Sequence, residues 1–129
     1  MVIARERQSK CVFALKAVNK KFVVENGKQE QLKREIETQS HMRHPNIIRL
    51  HTWFHEADKV FLVLELAPFG SMFDLIRKKG SPRALPEGEA RWYFYQVVLA
   101  LKYMHAKNVL HRDLKLENLL IGRNRVIKL

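Results

Sequence analysis

The chain has one cysteine, Cys11, among its 129 residues, so an internal disulfide is excluded and a reducing, intracellular setting is the default. It has no run approaching the roughly eighteen apolar residues that a membrane helix needs. The longest greasy stretch, Trp92 to Met104, is interrupted by Gln96 and Lys102. Arg5, Arg7 and Lys10 follow the start without an apolar region, so no secretory signal is expected. Repeats and low-complexity tracts are missing as well. Acid is scarce: 13 Asp and Glu stand against 24 Lys and Arg, a net charge of +11. Such a surplus can serve nucleic acid or an acidic membrane. No nucleic-acid motif and no basic helix face with interleaved aromatics accompanies it. A solvated basic surface, partly serving nucleotide phosphates, is the favoured reading.

What is present divides into two styles. Val2 to Ala4 and Cys11 to Val18 are apolar runs joined by the charged turn Arg5 to Lys10, a hairpin pattern. Gln29 to Met42 reads as a helix with Leu32, Ile36 and Gln39 on one face, stopped by His44-Pro45-Asn46. Ile47 to Phe54 and Val60 to Leu66 read as strands around a polar turn. Beyond Pro68 and Gly70 the pattern turns helical. Ser71 caps a short helix to Lys78, Gly80 to Leu85 is a loop, and Pro86 to Lys107 is a long helix with Glu87 and Glu89 in its first turn. That helix is apolar on several sides, which predicts burial from more than one direction. Val109-Leu110, Leu119 to Ile121 and Arg125 to Leu129 read as short strands. A β-rich half thus meets a helical half near residue 67, and a cleft between them is a natural ligand site.

The most specific run is His111-Arg112-Asp113-Leu114-Lys115-Leu116-Glu117-Asn118. It fits the catalytic-loop pattern H-R-D-L-x-x-x-N at every fixed position, a match expected by chance roughly once in three million windows. The chemistry explains the spacing. Asp113 can sit against the hydroxyl that attacks ATP, and the Asn118 carboxamide can reach a magnesium ion on the phosphates. Lys115 can neutralise the transferring group. His111 is read as packing that holds the loop, and Arg112 as a structural or regulatory cation. Lys16 ends the strand Phe13-Ala14-Leu15-Lys16, which is similar to V-A-I-K. A lysine buried among apolar neighbours needs an anion, which phosphates or Glu35 can supply. Glu30 and Glu37 compete with Glu35 for it. His41 and His44 are three apart and His51 and His55 four apart. The second pair lies in a strand and turn where both rings do not share a face, and no cysteine pair accompanies them as in a zinc site.

With these residues the chain resembles the eukaryotic protein kinase family along its length. Lys115 in the loop is the serine/threonine form. Val12 to Val18, Gln31 to Glu37, Gln39 to Ile47 and Leu64 to Gly70 look closest to the Aurora kinases. The resemblance implies an α+β, two-lobe fold truncated at both ends, with residues 1–66 an incomplete N-lobe and 67–129 the hinge and first part of the C-lobe. It implies Asp113, Lys115, Lys16 and Glu35 as catalytic. Glu65, Leu66 and Ala67 would be the hinge that binds adenine, Leu64 the gatekeeper, and Ala14 and Leu120 the two sides of the adenine sandwich. Glu117 would lie near ribose and Asn118 on magnesium. ATP and Mg2+ would be the cofactors, with a protein serine or threonine as substrate and an activating protein as partner. The location would be cytoplasm or nucleus, with spindle or centrosome association by the Aurora likeness alone.

Departures accompany the matches. The Gly-x-Gly-x-x-Gly-x-Val loop would have its final valine near Met1, and the Asp-Phe-Gly aspartate would fall beyond Leu129. Leu116 replaces the proline usual in serine/threonine kinases. These residues alone are therefore expected to have no useful kinase activity and to be poorly soluble or molten. The alternative reading is a non-catalytic truncated paralogue acting as a scaffold or decoy. A basic nucleic-acid-binding fragment is a third, resting on charge alone.

Overall fold

The structure is a computed structural model that describes residues 1–78 and 85–129. The expected loop from Gly80 to Leu85 lies, except for Leu85, outside the described residues. The chain is α+β and divides into two compact units. Residues 1–43 and 49–66 form one; residues 44–48 and 67–129 form the other.

The first unit is built on a four-stranded antiparallel sheet of β1 (Val2–Arg5), β2 (Val12–Asn19), β3 (Leu50–His55) and β4 (Lys59–Leu64), in the order β1-β2-β4-β3. Leu50 and Leu62 are its most deeply buried side chains, at 2% and 1% exposure. The β1–β2 turn is organised by Glu6, whose carboxylate accepts from the backbone N–H groups of Gln8 and Ser9. Those bonds, Gln8 first, hold the Glu6 carboxyl at about 2. Its support for the turn is therefore present above the ordinary carboxylate range and lost as pH falls toward that value.

Two helices complete this unit. α1 (Lys20–Glu25) was not evident from periodicity, because six residues are too few to show one. Its cause is local. The Asn19 side chain accepts from Lys21 and Phe22 N–H at the start. At the end Gly27, at φ 60°, lets Lys28 N–H reach back to the Val23 carbonyl. α2 (Gln29–Ser40) ends two residues before the expected Met42. There Ser40 Oγ bonds back to the Glu37 carbonyl, an alternative to continuing the ladder. Val23, Leu32, Ile36, Trp53 and Val60 line an apolar cavity of about 380 Å3 in this unit, with Lys20 and Lys33 also on its wall.

The second unit holds α3 (Met72–Lys78), α4 (Glu87–Ala106) and the small hairpin of β5 (Leu120–Ile121) and β6 (Ile127–Lys128). Ser71 and Asp74 cap α3 reciprocally. Ser71 Oγ accepts from Asp74 N–H at 3.1 Å and donates to the Asp74 carboxylate at 2.7 Å. Pro86 is the N-cap of α4 rather than its first residue. Asn108, in left-handed conformation at φ 58°, ends α4 by letting Val109 N–H bond the Met104 carbonyl. That closure is why Val109-Leu110 is not the expected strand. Met72, Tyr93, Val97, Ile121 and Ile127 form the core.

Gln96 lies in that core at 4% exposure, with neither its amide oxygen nor its amide nitrogen left without a partner. Its Oε1 accepts from Asn46 Nδ2 at 2.9 Å and from Ile127 N–H at 2.8 Å. Its Nε2 donates to the Arg125 carbonyl at 3.2 Å. Each partner left unsatisfied by a change at Gln96 would cost about 1–3 kcal/mol. The expected strand over Ile47 to Phe54 is split by backbone bonds beside these contacts. Ile48 N–H bonds the Leu129 carbonyl and Leu129 N–H bonds the Asn46 carbonyl, so Ile47 and Ile48 belong to this unit and β3 begins at Leu50. Among the described residues no helix is long and apolar enough to cross a membrane.

Candidate functional site

In the first unit the sheet places Lys16 on an inner strand, opposite Leu62 of β4. Alternation puts Ala14 and Lys16 on one face of β2. α2 then brings Glu35 to the lysine, with Nζ to Oε1 at 3.3 Å. Of the three acids that competed in sequence, Glu35 is the one paired. The reason for pairing differs from expectation. The two side chains are 42% and 46% exposed, so this ammonium is not a buried charge in need of rescue. The pair contributes about 1 kcal/mol or less to stability. Its value is aim, since a long flexible stem is held in one direction.

Ala14 pairs directly with Leu64 across the β2–β4 ladder, and both are 7% exposed. Glu65 N–H donates to the Arg49 carbonyl at 2.8 Å, and the Glu65 carboxylate accepts from Arg49 N–H at 3.2 Å. The Glu65 amide is thus committed within its own unit. Leu66 and Ala67 follow, half-buried.

In the second unit residues 111–118 form a compact loop. Arg112 adopts φ 64°, a left-handed conformation rare outside glycine and often met at functional sites. Asp113 N–H donates to His111 Nδ1 at 3.3 Å, which gives His111 the loop-holding place expected of it. Lys115 Nζ lies 3.0 Å from Asp113 Oδ2. Asn118 Nδ2 donates to both the Asp113 carbonyl and Oδ2, each at 2.8 Å. A 3-10 turn over Leu116–Asn118 brings the carboxamide back to the acid. Glu117 is exposed on that turn, and Leu120 enters β5 opposite Lys128, bridged also to Ser71.

The Lys115 contact, then the Asn118 bond, holds the Asp113 carboxyl below the usual carboxylate range. Asp113 is therefore an anion throughout ordinary pH. Any ordering it gives the loop is present above that range and lost as pH falls through the lowered value. Lys115→Met is expected to move the Asp113 titration up toward its ordinary value, read by side-chain carboxyl NMR. An unchanged titration would show that Lys115 does not govern this acid.

The donor set also has a definite chemistry. Asn118 spends its amide nitrogen on Asp113, which turns its carbonyl oxygen into the available group. A neutral hard oxygen of that kind suits Mg2+, which keeps several waters and takes few protein ligands. Lys16 offers an aimed cation that suits phosphate. The residues present therefore fit both a divalent cation and a polyphosphate.

The family described as protein kinase domain matches residues 1–129. Aurora kinase B of Danio rerio is 45% identical over 127 residues, covering 98% of this chain and 39% of that protein. Aurora kinase A-A of Xenopus laevis is 44% identical over 98% of this chain and 30% of its own length. The Aurora kinase of Dictyostelium discoideum is 45% identical, with 98% and 32% covered. The chain thus spans about a third of the length of these curated relatives.

Proposed function

Because this chain belongs to the protein kinase family, we propose that it is part of an ATP-dependent, Aurora-like protein serine/threonine kinase. The observation that carries the reading is the Asp113 carboxylate held by Lys115 and Asn118 in a loop of the fitting sequence. Mg2+ and ATP, when bound, supply the phosphoryl group and much of the charge neutralisation. The chain's own residues do the rest. Lys16, aimed by Glu35, binds phosphate oxygens. Asn118 holds a magnesium ion through its carbonyl oxygen.

Ala14, Leu64 and Leu120 give apolar surface to the adenine ring. The Glu65 carbonyl and the Leu66 and Ala67 backbone groups provide its hydrogen bonds, and Glu117 lies toward ribose. Asp113 accepts the proton of the substrate serine or threonine hydroxyl and keeps it in line. Lys115 offsets negative charge as that hydroxyl attacks. The substrate is a protein, an activating protein is a further partner, and the setting is cytoplasm or nucleus.

The test is a chimera in which these 129 residues replace the matching stretch of the Danio rerio relative. It is expected to phosphorylate a protein substrate in the presence of Mg2+ and ATP. Asp113→Asn is expected to lower kcat about 10²- to 10⁴-fold. A folded chimera that lacks transfer would instead favour a non-catalytic scaffold or decoy.

A further inference from the structure

The turn between β1 and β2 carries a hydroxyl that the proposed machinery does not use. Ser9 is exposed there, with Arg5 and Arg7 ahead of it and Lys10 behind. The other serine and threonine hydroxyls of the described residues are placed differently. Ser40 and Thr38 lie in α2, and Ser40 is bonded to the Glu37 carbonyl. Ser71 is 8% exposed in the α3 cap. Thr52 is held in the β3–β4 ladder opposite Val63. An acceptor must enter another enzyme's cleft, and a helix or ladder resists that while an exposed turn does not.

We infer that Ser9 is a phosphorylation site for a separate serine/threonine kinase that selects arginine ahead of its target, and that the phosphate rebuilds the β1–β2 turn. The arginines are the chemical address, since guanidinium pairs with the carboxylates of an acidic cleft in fixed geometry. In the step, Ser9 Oγ forms a bond to the γ-phosphorus of ATP held by that kinase. The bond from that phosphorus to the bridging oxygen breaks, ADP leaves with the electron pair, and the Oγ proton passes to the kinase's base.

The consequence follows from the turn's present bonding. Glu6 accepts from the Gln8 and Ser9 N–H groups, and Ser9 Oγ accepts from Cys11 N–H at 3.2 Å. Phosphorylation adds a charge of about −2 beside the Glu6 carboxylate. The two anions repel, and Arg5, Arg7 and Lys10 supply the counter-charge. The phosphate competes with Glu6 for the same amides. The hairpin so altered is the one that carries Lys16 on β2.

The chain is treated with ATP and a purified kinase selective for arginine two residues ahead of its acceptor, and label is followed by intact mass and peptide mapping. One phosphoryl group on Ser9 is expected, and none on Ser9→Ala. Changing Arg5 and Arg7 together to alanine is expected to slow labelling about tenfold or more. Glu6→Gln, which loosens the turn, is expected to speed it several-fold. Label on Thr52 or Ser81 with Ser9 bare, or a rate indifferent to both arginines, would overturn the site. A Glu6→Gln rate no faster than that of the parent would overturn the role of the turn.

Discussion

Given Mg2+, ATP and a protein substrate, the 129 residues by themselves are expected to show no phosphoryl transfer above background, and Asp113→Asn is expected to change nothing. The reason is electrostatic. Phosphoryl transfer is mostly positioning and charge stabilisation, with little covalent work for the protein. On the proposed reading, Lys16 would supply one phosphate contact and Asn118 one magnesium contact. No glycine-rich backbone clamp and no Asp-Phe-Gly carboxylate stands among them. Each such element is worth about 3 kcal/mol of transition-state stabilisation, or about a hundredfold in rate, so both together approach 10⁴. Measurable transfer by the purified chain, abolished by Asp113→Asn, would refute this.

The second large effect concerns association. α4 buries Tyr93, Gln96, Val97, Ala100 and Met104. On its other sides Trp92, Phe94 and Tyr95 are 52%, 70% and 56% exposed. Large aromatics left open to water, with Trp92 and Tyr95 one turn apart on the helix, mark an interaction surface or an aggregation liability. The 129 residues alone are expected to self-associate as concentration rises and to bind a hydrophobic dye. Changing Trp92, Phe94 and Tyr95 to lysine is expected to abolish most of both, read by sedimentation and fluorescence. A parent chain that stays monomeric and melts in one sharp transition would contradict the expectation.

Legibility in the sequence followed the range of the forces. Residues 111–118 could be read because their chemistry demands a fixed local spacing. The Lys115 and Asn118 contacts with Asp113 occupy the same few residues. The apolar run that became β2 was equally local. Lys16 with Glu35 needed the resemblance, since nothing local separates Glu35 from Glu30 or Glu37. The burial argument for Lys16 pointed to the right kind of partner for a reason the half-exposed pair does not bear out. Elements decided by distant partners were misread. Ile47 and Ile48 have strand residues, yet Ile47 N–H turns back to the His44 carbonyl and Ile48 N–H bonds the Leu129 carbonyl. Gln96 looked like a polar interruption of a helix and is a buried hub, because Asn46 and Ile127 come to it from far along the chain.

The central proposal is that Lys16, Asp113 and Asn118 would serve one nucleotide. Covalent labelling of the chimera by an acyl phosphate of ATP tests it most directly, because the reagent acylates an amine held beside the phosphates. Lys16 is expected to be labelled before Lys20, Lys21 or Lys28, to be protected by Mg2+ and ATP, and to lose that protection by Mg2+ in Asn118→Ala. Labelling spread evenly over these lysines, with no protection by ATP at Lys16, would contradict the account.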